Sequence, residues 1–191
     1  MHPTPYCSLS LLPLFFLLMV LPRQNLKLFT YPKSKSAHGG SLSVGRRKSR
    51  RPLSLKESIH VVLRAERAKG RYSLLLPKNA KLVLKLMKKY GKEFQVKVYH
   101  FAFVSNHMHL TLKAKTRLGF QNFLRVFAGQ TAQKITGAMK GNPGTKRFWD
   151  LLAFSRIITW GRAYKIVIKY IDKNVKQAAS LQKVSWLLNT S

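Results

Sequence analysis

The sequence predicts an α+β protein built on a split β-α-β antiparallel sheet, ferredoxin-like or RRM-like, with helices on one side and a further helix at the C-terminal end. Three observations predict it. Short runs rich in β-branched and aromatic residues alternate with segments whose apolar residues recur at helical spacing, in the order β-α-β-β-α-β-α. The stretch His107 to Lys113 alternates polar and apolar side chains, as a strand with one buried face does. Apolar residues make up 46% of a chain of 191, enough for one domain with a proper core.

Ile59-His60-Val61-Val62-Leu63-Arg64 is the first strand, β-branched and partly alternating. Asn79 is placed to cap a helix through Tyr90, with Val83, Leu86, Met87 and Tyr90 on its inner face. Gly91 is expected to end that helix. Val96 to Val104 is the second strand, apolar on both faces and therefore expected at the centre of the sheet. After a break at Ser105-Asn106, His107 to Lys113 forms the third, an antiparallel neighbour of the second. A second helix runs from about Phe120 to Ile135, its inner stripe Phe120, Phe123, Leu124, Phe127 and Thr131. Gly141-Asn-Pro-Gly144 is a loop. Phe154 to Trp160 is the fourth strand, and Gly161 a turn. The last helix spans about Arg162 to Ala179, with Val167, Ile171, Val175 and Ala178 facing inward and Tyr170, Asn174 and Gln177 on an adjacent face.

Charge narrows the function. The chain has 36 Lys and Arg against 5 Asp and Glu, a formal net charge of +31. Such a chain repels itself unless it meets a polyanion, and phosphate backbone is the commonest one. The few acids are Glu57, Glu66, Glu93, Asp150 and Asp172. That excludes chemistry needing several convergent carboxylates, as two-metal nucleases do. Cys7 is the lone cysteine, so a disulfide framework or a cysteine zinc site is excluded, and a reducing cytoplasm is the default.

The organisation expected is three-part. Residues 1–18 carry most of the apolar run Leu9 to Leu21, too short and proline-interrupted for a comfortable membrane span, so no stable membrane partner is expected. No Lys or Arg precedes the run, which argues against a secretion signal. The favoured reading puts 1–18 upstream of a true start at Met19, where the composition changes. Residues 19–56 read as a basic flexible arm, with Arg46, Arg47, Lys48, Arg50 and Arg51 as its nucleic-acid contacts. Residues 57–191 hold the folded domain.

His107 and His109 flank one apolar residue on a strand, so both imidazoles leave the same face and can hold one metal ion. With six histidines in the chain, chance yields such a pair in roughly one chain of this composition in five. Strand context and a second feature raise its value: Tyr170 and Asn174 are four apart on a helix and share a face. Two neutral imidazoles and an amide oxygen leave open positions on a divalent ion, Mg²⁺ or Mn²⁺, for phosphate oxygens. Tyr170 beside that ion suits nucleophilic cleavage of a phosphodiester through a 5′-phosphotyrosine. The plainer reading is a partly exposed histidine pair and an ordinary helix tyrosine packed on the sheet.

On these residues the chain resembles the single-tyrosine HUH transposases, in particular the REP-associated tyrosine transposases of bacteria. His107-Met108-His109 after Asn106 matches the family's His-hydrophobic-His, and Tyr170 with Asn174 matches its Tyr-x-x-x-Gln/Asn. Lys146 to Asn174 looks like the approach to the family's catalytic helix, and HGGSLSVGRRKSRRPLS followed by IHVVLRA looks like the N-terminal region of one branch. The similarity runs from about Arg23 to Ala179. It implies a nickase and strand transferase acting on single-stranded, hairpin-containing DNA, with Tyr170 as nucleophile and His107, His109 and Asn174 holding Mg²⁺ or Mn²⁺. It also implies homodimers in some members and a bacterial cytoplasmic, nucleoid-associated setting. Ser105 stands where proline is common, and Asn174 where the insertion-sequence branch has the longer Gln.

Two other readings use the same residues. A non-catalytic binder of single strands or RNA, decayed or domesticated from a transposase, explains the charge and fold, with Tyr99, Phe101 and Phe103 available for stacking. A membrane-associated basic protein would use Leu9 to Leu21.

Overall fold

The computed structural model describes residues 36–47, 49–104, 106–139 and 147–182, with side chains through 176. The expectations for 1–18 and most of the arm's first half, for Lys48, Ser105 and the Gly141–Gly144 loop, and for the side chains of Gln177 and Ala178 lie outside the described residues.

The strands are β1 (Ala37–His38), β2 (Ser58–Arg64), β3 (Val96–Val104), β4 (His107–Ala114) and β5 (Phe154–Ile158). The helices are α1 (Pro77–Glu93), α2 (Arg117–Thr136) and α3 (Arg162–Gln182). The sheet order is β1-β5-β2-β4-β3, every neighbouring pair antiparallel. β4 therefore lies between β2 and β3, and β2 between β4 and β5, so α1 and α2 each join strands that are parallel but not adjacent. This is the split β-α-β arrangement that the sequence predicts, with β1 added at one edge.

The faces follow the alternation. Ile59, Val61 and Leu63 of β2 and Met108, Leu110 and Leu112 of β4 are buried with Val83, Leu86 and Met87 of α1 and Phe120, Phe123 and Phe127 of α2. Each fully buried side chain of this size contributes about 1.5–3 kcal/mol of transfer free energy. The opposite face carries α3 over a small cluster of Ala102, Ile158, Val167 and Ile171.

Four local expectations are corrected. β3 is an edge strand rather than a central one. It is apolar on both faces because α3 covers the face that α1 and α2 do not. Asn79 does not cap α1: Leu76 takes the cap position before Pro77, and Asn79 Nδ2 donates to the Ser73 and Arg71 carbonyls at 2.8 and 3.0 Å. Gly91 is buried inside α1, where an added Cβ would sit 3.0 Å from the Val96 carbonyl, so it permits close packing rather than ending the helix. Within the supposed arm, Ala37 and His38 pair with Arg156 and Ser155 of β5, and a 3-10 turn follows at Gly40–Ser43. Gly39 permits this docking, at φ +84° and with no room for a Cβ beside the Ala153 carbonyl. Composition concealed the edge strand because two residues are too few to show a period.

Candidate active site

β4 brings its histidines to the α3 face because Met108 and Leu110 enter the core between and after them. His107 and His109 have ring centroids 4.9 Å apart. Across the sheet, β2 places His60 opposite Thr111 and Val62 opposite His109, so His60 and His109 are diagonal neighbours on one face. His60 Nε2 lies 3.1 Å from His109 Nδ1. The two ring planes differ by only 9° with centroids 5.3 Å apart. Against a 3.1 Å nitrogen contact, that spacing describes rings meeting edge to edge in nearly one plane, not one ring over the other.

β3 completes the face through a bulge. Val98 pairs with Leu112 and His100 with Thr111, leaving Tyr99 as the extra residue. The bulge reverses the parity of the strand: Val96, Val98, Phe101 and Phe103 pack with the α1/α2 core, and His100 and Ala102 turn to α3. His100 Nε2 meets Asp172 Oδ1 at 3.1 Å.

α3 sets Tyr170 over the histidines. Its ring is nearly perpendicular to that of His109, 6.0 Å between centroids and 87° between planes. Ile171, fully buried, and Val167 seat the helix on Ala102 and Ile158. Tyr164 packs elsewhere, its hydroxyl 3.4 Å from Thr111 Oγ1 and its ring 4.9 Å from Trp160. Asn174, half-buried, lies one turn beyond Tyr170 and has no hydrogen bond to either histidine. The structure thus brings His107, His109 and Tyr170 together, with Asn174 on the same helix nearby.

Burial disfavours the charged form of these imidazoles. Burial pushes His109 down to about 2, with the neighbouring His60 and His107 adding to it. Burial and then Arg156 push His60 to about 4. Burial and then Arg64 lower His107. Neutral imidazole is the metal-binding form. His107 Nδ1 donates to Asn106 Oδ1 at 2.8 Å, which leaves the lone pair on its Nε2. His109 Nε2 is buried without a hydrogen-bond partner. An orphaned imidazole nitrogen is costly unless something else takes it. These donors fit a divalent ion. Among the described residues no group of three or more His, Cys, Asp and Glu is arranged to hold one, so a third protein ligand here would be an amide or a hydroxyl.

The basic run divides. Arg46, Arg47 and Arg50 are exposed. Arg51 is half-buried, its Nη1 donating to Ser155 Oγ and its carbonyl accepting from Arg117 Nη1 at 2.8 Å. Burial lowers its pKa. Arg51 ties the segment to β5. Sequence reasoning missed His60 and the His100–Asp172 pair. The signal for His60 was its place beside the apolar residues of β2, but its partner depended on strand order. No helix among the described residues is long and apolar enough to cross a membrane.

No curated protein matches the chain. Among solved structures, a REP-associated tyrosine transposase bound to a REP hairpin aligns over 69% of this chain and 74% of its own, with 15% identity and a TM-score of 0.46. A candidate transposase from Deinococcus radiodurans R1 aligns over 67% of this chain and 98% of its own, with 16% identity and a TM-score of 0.41. The family described as "Transposase IS200 like" matches residues 55–174, from just before β2 to the Asn174 that closes the Tyr170 motif. That match covers more than half of the sequence and takes in the whole histidine and tyrosine face: the chain belongs to the IS200-like transposase family.

Proposed function

We propose that this transposase cuts and rejoins single-stranded DNA with Tyr170 as its nucleophile. One observation carries the reading: His109, whose buried Nε2 has no hydrogen-bond partner, has its ring centroid 4.9 Å from that of His107 and 6.0 Å from that of Tyr170. His107 and His109, with Asn174, would hold Mg²⁺ or Mn²⁺. When bound, the ion supplies Lewis acidity toward the scissile phosphate and favours ionisation of a nearby phenol.

The protein's own residues do the rest. The Tyr170 oxygen forms a bond to phosphorus as the bond from phosphorus to the 3′ oxygen breaks. The 5′ side stays on the tyrosine, and the proton lost by Tyr170 is balanced by the one gained at the free 3′-OH. Rejoining is the reverse attack by a 3′-OH. Ile171 and Val167 keep α3 seated while this happens, and the Tyr164 hydroxyl, turned to Thr111, is not the nucleophile.

Strand binding has its own support. Tyr164, Trp160 and Tyr99 form a run of ring contacts at 4.9 and 5.1 Å along the site's face. Tyr99 borders a cleft of about 840 Å³ edged by Lys92, Lys97, Lys113 and Lys115. Exposed rings beside lysines suit bases and phosphates of a single strand. Arg46, Arg47 and Arg50 add phosphate contacts, and Lys48 belongs to the same run. The reading extends to a hairpin-bearing strand, a homodimer, and action at the bacterial nucleoid.

The test is incubation with labelled single-stranded hairpin DNA and Mn²⁺. A covalent protein–DNA adduct on a denaturing gel, absent in Tyr170→Phe, is expected. Binding without any adduct would leave a non-catalytic DNA-binding protein.

A further inference from the structure

We infer that His60 is a positioning residue for His109: it accepts the Nδ1–H of His109 and so keeps the Nε2 lone pair of His109 turned toward the site. This role rests on the proposed ligand role of His109 for its purpose, but not for its geometry.

The 3.1 Å contact between His60 Nε2 and His109 Nδ1 contains one proton when both rings are neutral. Two arrangements exist. If His60 donates, His109 keeps its own proton on Nε2, and an N–H with no acceptor is buried. If His109 donates, Nδ1 is satisfied and Nε2 carries a bare lone pair, ready for a cation. The near-coplanar meeting of the rings aims each nitrogen at the other, as a direct hydrogen bond requires. The same contact prevents His60 from acting as a third ligand through Nε2, since that nitrogen is already committed to His109.

His107 provides the parallel. Its Nδ1 is tied to Asn106 Oδ1, again leaving Nε2 for the site. Two histidines on one strand are thus each held by their Nδ1, one from the preceding residue and one from β2. Fixing the far nitrogen of a ligating histidine sets both its tautomer and its ring orientation. His60 is buried and its strand is locked to both β4 and β5, so the hold is a rigid one.

The experiment uses the full chain and nitrogen-15 imidazole NMR without metal, followed by Mn²⁺ titration. In the wild type, His109 is expected as the Nδ1–H tautomer. His60→Leu should shift it toward Nε2–H and weaken Mn²⁺ binding about 10- to 100-fold. His60→Gln, whose side-chain oxygen can accept the same proton, should restore most of the affinity. A wild-type His109 found as Nε2–H would overturn the inference, whether or not the variants fold. So would unchanged Mn²⁺ affinity in a folded His60→Leu. If the wild type shows Nδ1–H but binds no Mn²⁺, the hold on His109 stands and the metal reading of the site fails alone.

Discussion

His100 on β3 and Asp172 on α3 meet at 3.1 Å, joining the edge strand to the helix two residues beyond Tyr170. The bulge at Tyr99 makes this contact, because without it His100 would face the apolar core. Both side chains are partly exposed, so the pair contributes little to stability, about 0.2–1 kcal/mol. Asp172→Asn is therefore expected to lower the melting temperature by only about 1–3 °C. Its larger effect should be on adduct formation, through loosened placement of α3. A drop in adduct no greater than the drop in folded protein would show that the pair does not position Tyr170.

Tyr170→Phe removes one oxygen from a ring that packs against His109. It should leave folding and DNA binding intact and abolish both cleavage and the adduct. Tyr164→Phe should keep the adduct, since its hydroxyl is turned to Thr111. His107→Ala should abolish metal-dependent cleavage with binding nearly unchanged, because strand affinity comes mainly from Lys and Arg. Adduct formation by Tyr170→Phe but not Tyr164→Phe would reverse the assignment.

The neutral histidines make stability depend on pH. Unfolded, each titrates near the usual 6.5, whereas in the fold His60 is held to about 4 and His109 lower. Below pH 6.5 the unfolded chain binds protons that the folded chain refuses. Their contribution is complete above that pH and lost as pH falls toward the folded values, at about 1.4 kcal/mol per unit for each histidine. Urea unfolding of metal-free protein should show this loss between about pH 6.5 and pH 5. His60→Gln should reduce the slope by about one proton. A flat profile in the wild type would mean that these rings are charged or solvated.

Gly39→Ala should undock β1. Its new methyl would meet the Ala153 carbonyl, at a backbone angle disfavoured for side chains. The expected cost is about 1–3 kcal/mol. Hydrogen exchange provides a local readout, because the Ile157 amide donates to Ser36 O at 3.1 Å and should lose protection first. Protection of Ile157 equal to wild type would show that the edge strand tolerates the change.

The basic run should act unevenly. Alanine at Arg46, Arg47 or Arg50 is expected to weaken single-strand binding and reduce the logarithmic salt slope by about 0.7 for each phosphate no longer neutralised. Arg51→Ala should instead lower the melting temperature, because it removes the tie to Ser155 on β5. Equal salt slopes in all four variants would remove the run from the DNA interface.

Much was legible in the chain because it is local. Alternation along His107–Lys113 determined which side chains face the core, and that both histidines leave the other face. Helical spacing in α2 selected Phe120, Phe123, Leu124, Phe127 and Thr131, all of which are buried. The Tyr170–Asn174 spacing pointed to a helix, and α3 carries both residues. What depends on long-range pairing could not be read this way. The position of β3 at the edge, the docking of Ala37–His38 on β5, and the partnership of His60 with His109 all follow from sheet order and register. The β3 bulge adds a further reason: one extra residue reverses which side chains face which way, and no period in the sequence announces it. Outside the β3 bulge, local sequence thus determined the faces, and tertiary pairing decided which faces meet.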